Sequence, residues 1–240
     1  MKISSKRSKA SSWSEWFNRC AQHYKDPRMK MAYYEQGRPL SKRVMKAIHE
    51  DVWKKLKPSR NSVLLDVGAG AGLFSKVFQK RLRKVIGTDI APAMLFDARK
   101  LNPRGIFLAC NAASLPFAAN AFDQILCYSV FHYLSGQKEA EKVLNQFMRT
   151  IKPKGRVFIG DVLLPESLLK QKLQKELKKN PSSKSWWPSF LNHNLKKLTF
   201  PPSFFKKYGQ KKGYCCHILS QNIPGKLTDI SRYDVILEKT

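Results

Sequence analysis

The sequence predicts a doubly wound α/β fold: a mostly parallel seven-stranded sheet with helices on both faces, an antiparallel last strand and a helical cap. Three observations carry this prediction. From about residue 62 to Asp161, short apolar runs alternate with stretches of helical spacing, the texture of right-handed βαβ units in a parallel sheet. A glycine-rich turn follows directly on the first of these runs. Two further strand-like runs close the chain once the alternation has stopped. At 240 residues the chain holds one α/β domain with a sizeable core and is too short for two full domains.

The elements follow in order. Residues 1–10 are basic and serine-rich and read as a loose tail. Trp13, Trp16, Phe17 and Cys20 fall at i, i+3, i+4 and i+7, one face of a helix. After a break at Asp26-Pro27, the four-residue steps of Val44, Ile48, Val52 and Leu56 predict a second helix from Ser41, with Ser41 as N-cap. Strand cores follow at Val63–Leu65, Val85–Gly87, Ile106–Leu108, Gln124–Cys127 and Arg156–Ile159, with helical stretches at Leu73–Leu82, Ala93–Leu101 and Glu139–Thr150 between them. Beyond Asp161 come a lysine-rich amphipathic helix over 165–179, the aromatic stretch Ser185–Pro188 and a helix over Pro202–Lys212 ended by Gly213. Strands at Tyr214–Ser220 and Tyr233–Glu238 flank a loop with Pro224-Gly225 and read as an antiparallel pair at the sheet edge. The expected organisation is a basic tail and helical cap over 1–58, a core over 59–164, a helical and aromatic substrate-cap insertion over 165–213, and a closing strand pair over 214–240.

Composition narrows the function. No window approaches eighteen uninterrupted apolar residues, and the start MKISSKRSKASS has no apolar stretch after its charges. Neither a membrane span nor a signal peptide is expected, which points to the cytoplasm. The five cysteines are scattered and include no CxxC pair, which argues against a disulfide framework or a zinc site. The net charge of +28 favours anionic partners, nucleic acid among them. A compositional bias toward lysine is the alternative, and charge alone does not choose.

The most informative segment runs from Val63 through Asp66-Val67-Gly68-Ala69-Gly70-Ala71-Gly72 into a helical stretch. Alternate glycines let the backbone turn tightly and let a ligand lie against bare main chain. Asp89 closes the next predicted strand, where a carboxylate accepts hydrogen bonds from both hydroxyls of a ribose. A third strand end offers Asn111-Ala112-Ala113, an amide and backbone N–H groups suited to an adenine edge. Together these strand ends describe a pocket for an adenosine. A nicotinamide-dinucleotide fingerprint needs G-x-G-x-x-G; counted from Gly68 its sixth position is Leu73, and counted from Gly70 it is Ser75, so that reading is set aside.

The runs DVGAGAG, GTDIAPAML, NAASLPF, FDQILCYSVFHYL and LNQFMRTIKPKGRVFIGD resemble, in order and spacing, those of class I S-adenosylmethionine-dependent methyltransferases, in particular the small single-domain group with a Rossmann-like fold. The resemblance covers about residues 60–162, and Ser231–Val235 looks like the family's last strand. It implies S-adenosyl-L-methionine as cofactor, with Gly68, Ala69 and Gly70 under its methionine part. It also implies that Asp66 holds the amino group through water, that Asp89 grips the ribose, and that Ile90 and Met94 pack near the adenine. Asn111, Ala112 and Ala113 would read the adenine, and the backbone at Tyr128 would pass the methionine carboxylate or the sulfonium.

A separate physical point agrees. A sulfonium donor is cationic and has no phosphate, so basic residues gain it nothing. In this basic chain the predicted strand ends carry Asp66, Asp89, Asn111 and Asp161, with no lysine or arginine among them.

Several residues keep two readings. His132 after the fourth strand is a base for an acceptor proton or a packed histidine. Asp161 binds or deprotonates the acceptor, or caps a helix. Tyr33, Tyr34, Trp186 and Trp187 line an acceptor pocket or pack a cap. The expected activity is methyl transfer to an O or N atom of a small-molecule acceptor, anionic or aromatic. The rival is a nucleic-acid methyltransferase resting on the charge; against it, Cys127-Tyr128-Ser129-Val130 stands where an N/D-P-P-Y/F tetrad would position a base nitrogen. The acceptor and the oligomeric state stay open at this level.

Overall fold

The computed structural model of the protein describes residues 12–35, 37–179, 197–226 and 229–239. Helix α1 (Trp13–His23) starts where the Ser12 hydroxyl accepts the Glu15 N–H at 3.2 Å. Helix α2 (Pro27–Lys30) starts where Asp26 accepts the Arg28 N–H at 2.8 Å. The two-residue strands β1 (Tyr34–Glu35) and β2 (Arg38–Pro39) form an antiparallel hairpin that the sequence did not signal, since two residues cannot display an alternation. Helix α3 (Lys42–Leu56) begins on Ser41, whose hydroxyl accepts the Val44 N–H at 3.2 Å, and buries Val44, Ile48, Val52 and Leu56 as the spacing requires.

The apolar runs that follow are the strands β3 (Val63–Val67), β4 (Lys84–Asp89), β5 (Ile106–Ala109), β6 (Phe122–Tyr128) and β7 (Ile151–Leu163). They are joined by α4 (Leu73–Phe78), α5 (Pro92–Leu101) and α6 (Gln137–Thr150). Helix α4 is shorter than its spacing predicts: the N–H groups of Arg81 and Leu82 both turn back to the Phe78 carbonyl, which closes the helix there. After α7 (Glu166–Lys179) and α8 (Pro202–Lys212) come β8 (Cys215–Ser220) and β9 (Arg232–Glu238).

The seven strands lie in the order β5-β4-β3-β6-β7-β9-β8. β3 pairs in parallel with both β4 and β6, so the chain departs to opposite sides of β3, and the switch point of the sheet falls between β3 and β6. β9 runs antiparallel between β7 and β8. The closing pair therefore takes the edge beyond β7, with the final strand on its inner side.

Side chains leave alternate faces of a strand, and the two cores follow that rule. Leu64, Leu126, Phe158 and Ile236 join Ile48, Val52 and Leu56 of α3 and Phe74 and Phe78 of α4 on one face. Leu65, Ile125, Val157 and Val235 join Leu144 and Phe147 of α6 and Phe205 of α8 on the other. Burying each such side chain contributes about 1.5–3 kcal/mol, which holds the carboxyl ends of β3 to β6 rigidly together. No described helix is long and apolar enough to cross a membrane.

Candidate active site

A cavity of about 500 Å³ opens at the carboxyl ends of β3, β4, β5 and β6, at the switch point, where sheets of this topology take ligands. Its floor is the glycine turn. Gly68, Gly70 and Gly72 have φ of +72°, +52° and +78°, a region that glycine enters without strain. A Cβ at Gly68 would stand 2.3 Å from Val130 Cγ2, and one at Gly70 would stand 2.8 Å from Met31 Cε. The positive φ favours bare backbone at all three positions, and at Gly68 the Val130 contact adds a steric ground.

Asp89 ends β4 half-buried on the cavity wall. Its Oδ2 accepts the Gly70 N–H at 2.9 Å and its Oδ1 accepts the Ala91 N–H at 2.8 Å, so the carboxylate is fixed across the glycine turn. Burial raises its pKa, opposed by these backbone hydrogen bonds. The far side is built from the N-terminal segment: Trp13, Phe17, Met31 and Tyr33 all line the cavity. That segment is tied to α5. The Ser14 hydroxyl donates to the Ile90 carbonyl at 3.1 Å, Asn18 Oδ1 accepts the Ala93 N–H at 3.0 Å, and Lys30 pairs with Asp97 at 2.5 Å. Among the described residues lining the cavity, the charged ones are Asp89 and Glu139, with no lysine or arginine.

Of the residues expected at the cofactor, Gly68, Gly70, Asp89, Ile90, Met94, Asn111, Ala112 and Tyr128 line this cavity. Asp66, Ala69 and Ala113 do not. Asp66 is turned into the protein beneath the floor, where its Oδ2 accepts the Ser75 hydroxyl at 2.6 Å; burial raises its pKa to about 7 against that hydrogen bond. In this position it ties the end of β3 to α4. Ala69 packs its methyl among Leu95, Ala98 and Phe107. Ala113 contributes its N–H to a turn that closes on Asn111 Oδ1 at 2.8 Å.

A second cavity, of about 80 Å³, adjoins the first, and Tyr33, Tyr128, Ser129 and Tyr133 line both. Tyr34, His132 and Asp161 lie on its wall. His132 sits in a short 3₁₀ turn, Phe131–Tyr133, and is almost wholly buried, with its Nδ1 lacking a hydrogen-bond partner. Burial, then the Arg232 and Lys197 charges, push its pKa well below the usual imidazole value, so it is neutral at pH 7. Asp161 departs from its reading as a helix cap and from that of a proton acceptor. It caps no helix but sits at the irregularity of β7 against β9, with φ of +62°. It also accepts from Lys226 Nζ and Arg232 Nη1, each at 2.8 Å, and from the Ser129 hydroxyl at 2.9 Å. Burial alone would raise its pKa, but the Arg232 and Lys226 charges hold it well below the carboxylate range, too low for a proton acceptor. Trp186 and Trp187 lie outside the described residues. Trp13, Phe17 and Met31 were not foreseen at the site: an amphipathic face shows that a helix is covered, not what covers it.

The pocket at the switch point has a glycine floor, a carboxylate at the end of β4 and, among the described residues, no lysine or arginine on its wall; residues 65–159 of the same chain match the family model described as a methyltransferase domain. Its relatives are diverse. The chain is 34% identical over 110 residues to the biotin biosynthesis bifunctional protein BioHC of Cellvibrio japonicus, covering 45% of this chain and 21% of that protein. It is 30% identical over 102 residues to the demethylmenaquinone methyltransferase of Renibacterium salmoninarum, covering 42% of each. Both matches span less than half of the curated relative. Among solved structures, phosphoethanolamine N-methyltransferase 1 of Haemonchus contortus, in complex with phosphoethanolamine and S-adenosylhomocysteine, superposes with a TM-score of 0.67 at 14% identity, over 93% of this chain and 47% of that one.

Proposed function

We propose that this protein transfers a methyl group from S-adenosylmethionine to an oxygen or nitrogen atom of a small-molecule acceptor. The observation that carries the reading is the sign of the main cavity: in a chain of net charge +28, its charged lining residues are Asp89 and Glu139, which suits a cationic donor without phosphate. When bound, S-adenosylmethionine supplies an electrophilic methyl group on a sulfonium. Asp89 accepts from the ribose hydroxyls, Ile90 and Met94 flank the adenine beside Asn111 and Ala112, and the bare turn at Gly68 and Gly70 admits the methionine portion. The N-terminal helices act as a roof that excludes water.

The protein's main contribution to such a transfer is placement. Holding acceptor atom and methyl carbon roughly 3 Å apart and in line supplies most of the acceleration. The acceptor occupies the smaller cavity and meets the donor across Tyr33, Tyr128, Ser129 and Tyr133. Where the acceptor arrives protonated, His132, neutral and with an unpaired Nδ1, takes the proton; Asp161, already paired with two cations, does not.

Calorimetric titration with S-adenosylhomocysteine, followed by an acceptor screen reading release of that product, tests the proposal. Saturable binding and turnover with a small molecule support it. Absence of S-adenosylhomocysteine binding refutes it. Turnover only with nucleic acid, falling steeply with added salt, replaces the acceptor class. Deleting residues 1–40 is expected to abolish turnover, and undiminished turnover would remove the roof from the scheme.

A further inference from the structure

We infer that the smaller cavity is an oxyanion subsite, which receives a phosphate or carboxylate group carried by the acceptor and sets it against Lys197, Lys226 and Arg232. The inference rests on the methyl-transfer reading only in assigning that oxyanion to the acceptor.

Three cations line a space of about 80 Å³, against the acids Asp161 and Glu35. Lys226 and Arg232 share the single carboxylate of Asp161. Lys197 makes no hydrogen bond to any described residue; its ammonium lies over the Tyr133 ring, 5.4 Å from the centroid. The Arg232 side chain is nine-tenths buried, and its Nε is left without an acceptor. Among the described residues, Arg232 Nε and the Lys197 ammonium thus remain as donors on this wall without an acceptor. Burying an unpaired charge is costly, and burial, then the Arg232 charge, already lower the pKa of Lys197 to about 8. A lysine-rich composition accounts for exposed lysines, which water solvates at no cost. It does not account for cations gathered around one small cavity.

The surroundings point the same way. Ser129 and Asp161, on neighbouring strand ends at this cavity, both have φ of +62°, strain of the kind that collects at ligand sites. The cavity is small enough to fix a head group and joins the donor cavity through four shared residues, which leaves the rest of the acceptor directed at the methyl group.

The test titrates inorganic phosphate and, separately, acetate by calorimetry at constant ionic strength, with and without saturating S-adenosylhomocysteine. Wild type is compared with Lys197→Met, Lys197→Arg and the surface control Lys170→Met, whose residue pairs with Glu166 on an exposed helix face. A charge-assisted contact at Lys197 predicts phosphate or acetate affinity about tenfold weaker in K197M, restored to within about threefold in K197R and unchanged in K170M. The tighter of the two anions names the head group. The thermal midpoint of unliganded K197M should equal or exceed that of wild type, because an uncompensated buried charge has been removed; a purely structural lysine would lower it. Equal affinities in wild type and K197M, or equal losses in K197M and K170M, would overturn the subsite. Failure of wild type to bind S-adenosylhomocysteine would refute the methyl-transfer reading separately, and the phosphate arm would still decide the subsite.

Discussion

Replacing Asp89 by alanine is the sharpest probe of the donor pocket. A hydrogen bond to a charged group contributes about 1.5–3 kcal/mol net, so two ribose hydroxyls set an upper bound of about 6 kcal/mol. The carboxylate oxygens already accept the Gly70 and Ala91 N–H groups and must be shared with the sugar, which brings the expectation down to about 3 kcal/mol. At about 1.4 kcal/mol per decade, the dissociation constant for S-adenosylhomocysteine should rise roughly a hundredfold. Asp89→Asn keeps one acceptor oxygen and should fall between the two. Because burial raises the Asp89 pKa and the proposed hold on the sugar needs the ionised form, wild-type affinity should weaken as pH is lowered through that pKa, while D89N should show a flatter profile. Calorimetry reads all three proteins. A loss smaller than about threefold in a folded D89A, judged on the same scale, would refute the assignment.

Asp66→Asn tests a different carboxylate. With a folded pKa of about 7 and an unfolded value of about 3.9, the group's stabilising contribution is complete below about pH 4 and lost as pH rises through about 7. The variant should therefore melt several degrees above wild type at pH 8, the gap closing toward pH 4, and parallel melting curves across that range would refute the sign. Gly68→Ala should lower stability and abolish S-adenosylhomocysteine binding, since its Cβ meets Val130 Cγ2 at 2.3 Å and its φ is +72°. Adding Val130→Ala should recover part of the stability, leaving the positive-φ strain of about 1–2 kcal/mol. Asp234→Ala removes a fully buried carboxylate that accepts from Lys55, Gln221 and the Asp161 N–H; chemical denaturation should show a loss of about 3–5 kcal/mol, as expected when one partner of a buried pair is deleted.

The sheet and the donor floor were legible because their causes are local. Apolar runs such as Val63–Leu65 declare buried strands, and Gly68 and Gly70 declare a turn that no side chain fits. Asp89 was legible because a strand end is a fixed distance from the turn of its neighbour. What the sequence concealed depends on distant parts of the chain meeting. Asp161 looked like one more acid at a strand end until Lys226 and Arg232, more than sixty residues later, were seen to hold it. Asp66 sits at the right register of β3, but its carboxylate is turned inward onto Ser75 of α4. The roof residues Trp13 and Met31 gave a helical rhythm and a short turn, and nothing in either names the cavity beneath.

One small contact has a wider consequence. Helix α5 begins at Ala91 without a side-chain cap of its own, and Asn18 of α1 accepts its Ala93 N–H instead. The first turn of α5 is thus completed by a residue seventy-five positions earlier, and its Ala93 N–H is answered only while α1 is docked. Fraying of the amino-terminal helix and fraying of the cavity wall at Ile90 and Met94 become one event. A bound nucleoside that steadies Ile90 and Met94 also holds down the chain's beginning, and amide exchange in α1 should slow as the pocket fills.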